Sequence, residues 1–430
     1  MFKIKQIVTV PGKAVFTRAF LMALLFAFMV LYFFVSNKII WILYLLYLGL
    51  ILLSRMKLTL KPELITILVT LPLLWGLFMS LNSDFYHFVQ GFFYLSIPVI
   101  LIITGFQISK IFTAEQYFLY LLKIGNLVAL LFIVLTIFRA GFGAFISPYT
   151  QSRFVVASGA PACIISLVIA AYSEHFGLRI LKTSGARYLS ILLNLTAIYL
   201  FASRTYWVIL FLFIFFFSIK TMKKDKLIFY GFLIIGCLLL MTAVINSRTG
   251  LTFQNSFLYK LVWSFTEIRV GNLSNYEDIN TYYRGYEAYK SWITFSEGTF
   301  LEKIFGGGYG KLVSLDTEVL LDGKYWSEVP WVHNGFFFIL VKQGVLGIIF
   351  VLIFFWRIIK TGMKGFNDLN PLKQFSGLFL LGCAASMFTA NYVVCALFSH
   401  EMAILIITIG FLCGGILHDT LQYEPATHKN

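Results

Sequence analysis

Charge is scarce in this sequence. Only 12% of its 430 residues are Asp, Glu, Lys or Arg, while 59% are hydrophobic and 47 are Phe. An ordinary soluble domain is about 25% charged, so the composition excludes one and leaves a polytopic membrane protein. Acidic residues are the rarer sign, 19 against 34 Lys and Arg, for a formal net charge of +15. Cysteine is rare as well. The five cysteines, at 163, 237, 383, 395 and 413, all sit in apolar runs with no CxxC spacing. They read as small core residues, which argues against disulfide, redox or metal chemistry. A P-loop is missing too, because the glycine run at 306–310 lacks the Lys-Ser/Thr that would hold a nucleotide.

What the chain has in abundance is apolar length. The first 35 residues carry Lys3, Lys5, Lys13 and Arg18 ahead of AFLMALLFAFMVLYFFV. That run exceeds the 7–15 residues of a signal-peptide core and no small-x-small cleavage site follows, so it reads as a retained first span. Runs near the length of about 20 residues that crosses a bilayer give twelve candidate spans. They lie near 19–35, 39–53, 64–80, 88–106, 116–138, 154–172, 188–202, 205–219, 227–245, 334–356, 375–391 and 401–417. The expected fold is an all-α polytopic membrane protein. Residues 1–245 form spans one to nine, 246–331 one large external loop, and 332–430 the last three spans with a short cytoplasmic tail.

The distribution of basic residues supports that order. With the N-terminus taken as cytoplasmic, the cytoplasmic segments hold 20 Lys/Arg against 7 Asp/Glu, and the opposite side holds 12 of each. The positive charge therefore belongs to the cytoplasmic membrane surface and its lipid, and no nucleic acid is needed to explain it. The same rule splits residues 188–219. Segments 174–187 and 220–226 are both basic, so the chain crosses twice between them and turns at Ala202-Ser203-Arg204-Thr205. Two 15-residue arms reach about 22 Å each at 1.5 Å per residue, short of a core of roughly 30 Å. Arg204 is thereby expected in a recessed external mouth, where a charge is usually functional. Arg153 opens the sixth span and reads either as a second anion contact or as an interface anchor. Lys123, inside span five, is read as a buried, paired or snorkelling lysine.

The external segment holds the titratable groups. Ser274 and Glu277 have capping-box spacing, and Tyr282, Tyr286, Tyr289 and Ile293 share one helical face. Arg284 and Glu287 are one turn apart. They read either as an i,i+3 ion pair on a surface helix or as part of a lid over the membrane mouth. FGGGYG at 305–310 reads as a tight turn, and Asp316-Thr-Glu318 as a solvated loop in preference to a metal pair. Trp331 marks the interface, and His333-Asn334 opens the tenth span. Gly344 and Gly347 allow close packing or a break within it. His87 and His400 also lie externally, without a comparable basic setting.

Arginine presents a planar five-donor fork to phosphate, fixed cations stabilise a diphosphate leaving group, and imidazole, with an ordinary pKa near 6.5, accepts a proton from an attacking hydroxyl. The chemistry implied is displacement of a lipid diphosphate by a sugar hydroxyl, with neither metal nor cofactor expected. At these residues the chain resembles the superfamily of O-antigen ligases and Wzy-type O-antigen polymerases. The resemblance rests on SRT at 203–205, RGYEAY at 284–289, FGGGYG at 305–310 and HNGFFFILVKQGVLG at 333–347. It implies a metal-independent glycosyltransferase of GT-C-like architecture in the bacterial inner membrane, acting at the periplasmic face on undecaprenyl-diphosphate-linked oligosaccharides.

By that resemblance Arg204 and Arg284 bind the diphosphate and His333 activates the acceptor. From their positions in the sequence, Arg153 is a further candidate for the diphosphate, Glu287 is a rival base, and Asn334 and Tyr283 are candidate supports of the site. A chain-length regulator and a flippase are the implied partners. The wording at 284–347 is closer to a polymerase, which joins repeat units, than to a ligase, which transfers glycan to lipid A-core. A transporter of the same lipids is the alternative from another class, but its two halves should match, and these do not.

The turn at 202–205 gives a topological prediction. A cysteine at Ser203, with the five native cysteines replaced, should react with an impermeant thiol reagent from outside the cell. Labelling only from the cytoplasmic side would remove Arg204 from an external site.

Overall fold

The computed structural model describes residues 18–31, 37–55, 64–81, 83–145, 159–221, 271, 273, 278–279, 282–321 and 323–417. Its helices are α1 (Arg18–Leu31), α2 (Asn37–Arg55), α3 (Leu64–Met79), α4 (Phe85–Ser109), α5 (Ala114–Ala140), α6 (Ala160–Tyr172), α7 (Ser184–Phe201) and α8 (Arg204–Thr221). After them come α9 (Tyr283–Ser296), α10 (Phe300–Phe305), strands β1 (Val313–Leu321) and β2 (Lys324–Val329), α11 (Gly335–Phe366), α12 (Pro371–Val394) and α13 (Ala403–Leu417). Helices occupy eleven of the twelve expected span positions, and the twelfth, 227–245, lies outside the described residues. Among the described residues six segments are long and apolar enough to cross a membrane: α4, α5, α8, α11, α12 and His400–Leu417. Those at 41–51, 70–79 and 160–176 are apolar but shorter. The chain is a helical, membrane-embedded protein.

Aromatic packing joins the bundle. Phe118 of α5 meets Phe375 and Phe379 of α12 at 5.0 and 5.4 Å, and Phe213 and Phe217 of α8 reach the same two rings at 5.1 and 5.2 Å. All five are fully buried. Edge and tilted ring pairs add about 0.5–1.5 kcal/mol each beyond their area, which fixes α8 against α12. Elsewhere small residues bring backbones together. A Cβ on Gly105 of α4 would lie 2.2 Å from the Ile407 carbonyl of α13, and one on Gly410 would lie 2.4 Å from the Ile102 carbonyl. Close backbone approach of this kind is how helices gain contact in lipid, where apolar side chains gain little by leaving it.

The all-α expectation needs one correction. β1 and β2 form an antiparallel hairpin with Val319 opposite Trp326 and Leu320 opposite Tyr325. Asp316 and Glu318 are strand residues, not a solvated loop. Asp316 sits at an irregularity of the register with φ 54° and forms an ion pair with Lys290 of α9. The local signal was Asp322-Gly323 between two β-rich runs, the dipeptide that favours a two-residue hairpin turn.

α11 is broken in its first third, as its glycines allow. Gly344 has φ 67° and ψ −166°, outside helical geometry. The break frees carbonyls inside the protein, and the glycine loop fills them: Gly307 N–H donates to Val341 O at 2.9 Å and Gly308 N–H to Lys342 O at 3.1 Å. Lys342, only 1% exposed, returns its ammonium to the carbonyls of Tyr309 and Lys311. Trp75 of α3 donates to Phe305 O, and Tyr309 is fastened to α3 through the Ser80 hydroxyl and the Leu73 carbonyl. FGGGYG is thus a plug as well as a turn. Lys123, by contrast, is exposed, its ammonium 5.5 Å from the Tyr120 ring.

This arrangement leaves no room for a side chain at the break. A Cβ on Gly344 would sit 2.4 Å from the Ile304 carbonyl, and a left-handed backbone costs a non-glycine residue about 1–2 kcal/mol before any clash. Gly344→Ala should lower the unfolding temperature of the purified protein clearly, while Gly49→Ala, which meets nothing within 4 Å, should not. Equal stability of the two variants would refute the plug.

Candidate functional site

The turn before α8 follows the expected sequence position. α7 ends at Phe201, Ala202 adopts the left-handed conformation (φ 47°, ψ 30°), and α8 starts at Arg204. A buried alanine held at positive φ is a locally strained backbone, and strain of this kind persists where the surroundings over-determine it. The first turn of α8 then divides. Arg204, Thr205, Val208 and Ile209 line a cavity, whereas Tyr206 is turned away and buried.

The cavity has a volume of about 900 Å³ and lies between α8, α11 and α12. Most of its wall is apolar, with Phe336, Phe337 and Leu340 before the break in α11, Ile348 and Leu352 after it, and Phe388 from α12. Arg284 of α9 joins Arg204 on this wall. Two arginines eighty residues apart in sequence therefore share one site. Asn334, also on the wall, caps α11, its side-chain oxygen accepting from Phe336 N–H at 3.0 Å and Phe337 N–H at 3.2 Å. Its local role is helix initiation.

His333 and Glu287 form a pair beside that wall, without being part of it. One Glu287 oxygen accepts from the His333 backbone N–H at 2.7 Å and lies 3.0 Å from its ring Nδ1. The other accepts from the Tyr283 hydroxyl at 3.1 Å. The carboxylate, 1% exposed, makes a tertiary contact with His333 as well as its bond to Tyr283. Burial, reinforced by the adjacent carboxylate, holds the Tyr283 phenol above its ordinary pKa, which keeps it a donor. A carboxylate on Nδ1 selects the tautomer with the proton there and leaves Nε2 as the acceptor. The His333 side chain is 31% exposed, so that nitrogen is within reach of solvent or substrate. Glu287 is therefore placed to orient His333, a different task from that of a second base.

Helix α9 is held in place from the other side. Tyr286 donates to Leu315 O and Lys290 pairs with Asp316, both in β1. The ion pair and the Ser314 hydroxyl lower the Asp316 pKa. Arg153, the Ser274/Glu277 pair and Cys237 lie outside the described residues, and the other four cysteines are buried. Sequence reasoning missed two polar features: the buried Lys342 clamp and a hydrogen bond from Tyr206 to Glu401. Ionisable residues inside apolar runs were the available signal for both.

The His–Glu pair can be tested without assuming a reaction. Nitrogen NMR of histidine-labelled protein, assigned with His333→Gln, should show the Nδ1–H tautomer in the wild type. Glu287→Ala should shift it toward Nε2–H, and an unchanged tautomer would remove Glu287 from its orienting role.

No family model matches this chain and no curated protein matches it.

Proposed function

We propose that the protein is a membrane glycosyltransferase that polymerises undecaprenyl-diphosphate-linked oligosaccharide repeat units into a surface polysaccharide. One observation carries the reading: Arg204 and Arg284 line the same apolar-walled cavity. An isoprenoid diphosphate is the ligand class that asks for both properties at once. Its lipid chain favours an apolar wall facing membrane helices, and its anionic head favours bidentate guanidinium donors. A free sugar phosphate would need no such wall, and a neutral lipid no such arginines. Twelve crossings, a GT-C-like architecture and a periplasmic site belong to this proposal, as does the superfamily likeness at 203–205, 284–289 and 333–347.

The reaction divides among the residues by charge. The acceptor hydroxyl loses its proton to Nε2 of His333 as its oxygen attacks the anomeric carbon of the donor sugar. The bond from that carbon to the diphosphate oxygen breaks, and the lipid diphosphate leaves with the electron pair. Arg204 and Arg284 stabilise the charge gathering on the leaving group. Glu287 holds the imidazole and stabilises its protonated form, and Tyr283 completes the carboxylate's hydrogen bonding. Asn334 starts the helix whose first residues form the cavity wall.

With purified protein and one defined lipid-linked repeat unit, Arg204→Ala and Arg284→Ala should each cut polymer formation by about 10²–10³-fold, the scale expected when a fixed donor to developing charge is lost. Lysine replacements should recover little, because an ammonium does not reproduce the fork. His333→Ala should lose about 10²–10⁴-fold in turnover while retaining donor binding. Bond formation in detergent excludes transport as the sole activity. Absence of bond formation by the wild type, with repeat units supplied, would sink the polymerase reading.

A further inference from the structure

We propose that Glu401 is a positioning residue: through Tyr206 it fixes the first turn of α8, and with it Arg204, against the cavity. This rests on the reading of Arg204 as a diphosphate contact. Glu401 lies in a short 3₁₀ turn, His400–Met402, immediately before α13, and its backbone N–H is held by the Ser399 hydroxyl. It belongs to the last apolar segment, His400–Leu417. A carboxylate there is costly unless it has a partner or a task. Its side-chain partner is the Tyr206 hydroxyl, which donates to Oε2 at 3.0 Å across 195 residues of sequence.

Geometry makes this bond informative about Arg204. Tyr206 is two residues along the same helical turn, only 5% exposed, and absent from the cavity wall that Arg204, Thr205, Val208 and Ile209 form. It therefore occupies the opposite side of the turn. A helix end held on its back by one directional bond has its rotation set, and rotation decides where the arginine on its front points. Packing alone restrains this turn less sharply. The Tyr206 ring meets Phe201 edge-on at 6.1 Å, and Phe201 stacks on Phe132 at 3.8 Å, contacts that tolerate sliding more readily than a hydrogen bond tolerates misdirection. An apolar residue at 401 would pack as well, so the carboxylate's contribution is direction.

The test uses the full-length protein and two readouts. In the donor assay, Tyr206→Phe and Glu401→Ala should lower kcat/KM for the lipid-linked unit about tenfold, the scale of one lost hydrogen bond to a charged group, chiefly through kcat, because Arg204 acts on the charge that gathers on the leaving group. Glu401→Gln keeps an acceptor oxygen and should stay near the wild-type kcat/KM. In an Arg204→Ala background, Glu401→Ala should add nothing. The second readout needs no catalysis. In cysteine-replaced protein carrying Ser203→Cys, Glu401→Ala should change the rate of labelling by an impermeant maleimide, and Glu401→Gln should restore it. A wild-type kcat/KM in Glu401→Ala, equal damage from alanine and glutamine, effects that add to those of Arg204→Ala, or an unchanged labelling rate would each overturn the proposal. Inactive wild-type protein would instead strike the glycosyltransferase reading, and the labelling arm would still decide whether Glu401 positions the turn.

Discussion

The contact on which the site depends is the single Glu287 oxygen shared by the backbone N–H and the ring Nδ1 of His333. It joins α9, in the long segment after α8, to the residue just before the cap of α11. It sets how Arg284 meets the cavity, together with the α9–β1 contacts that hold the helix from its other side. The bond is part-buried, with the carboxylate itself buried, and charge-assisted on the carboxylate side, conditions under which a hydrogen bond is strong when made and expensive when lost. Truncating Glu287 would also strand the Tyr283 hydroxyl. These partners stand or fall together.

The break in α11 serves the same end at the level of the backbone. A continuous helix would satisfy its own carbonyls and offer nothing to the preceding loop. Interrupting it at Gly344 exposes acceptors that are satisfied by Gly307 and Gly308, and the loop in turn accepts from Lys342. Non-helical backbone at membrane depth is tolerated where protein supplies the missing partners, and here the partners come from the segment that must be anchored. Lys342 adds directionality, since its buried ammonium has to be met by the carbonyls of Tyr309 and Lys311. Two arms of α11, one on each side of the break, then line the cavity at different heights.

Much of this was legible in the sequence because membrane helices are specified by composition. Apolar runs located helices at nearly every expected position, and within the turn expected over 202–205 the two helices are separated at Ala202-Ser203. Arg204, Arg284 and His333 were singled out by charge in an apolar setting. Partner choice was harder to read. The spacing of Arg284 and Glu287 allowed either a local ion pair or a lid, and the contact of Glu287 with His333, 46 residues away, is invisible to any local rule. The hairpin was missed because Asp316 and Glu318 look like solvent-facing loop residues, although β1 uses Asp316 to hold Lys290. Tyr206 and Glu401 share no pattern at all. They meet only because α8 and the start of α13 are neighbours in the folded bundle.

On the proposed function, the cavity's composition has an electrostatic consequence. The apolar residues around the guanidinium groups weaken the screening that water would provide, so their attraction for a dianionic head group is strong. That attraction grows as the leaving group gains charge, and it therefore favours the transition state over the bound substrate, which is the difference that accelerates a reaction. Lysines would accommodate themselves by rotating toward water. Arginines fixed by a strained turn at Ala202 and by the α9–β1 contacts cannot relax as freely, so part of the folding free energy is held as preorganisation of the site.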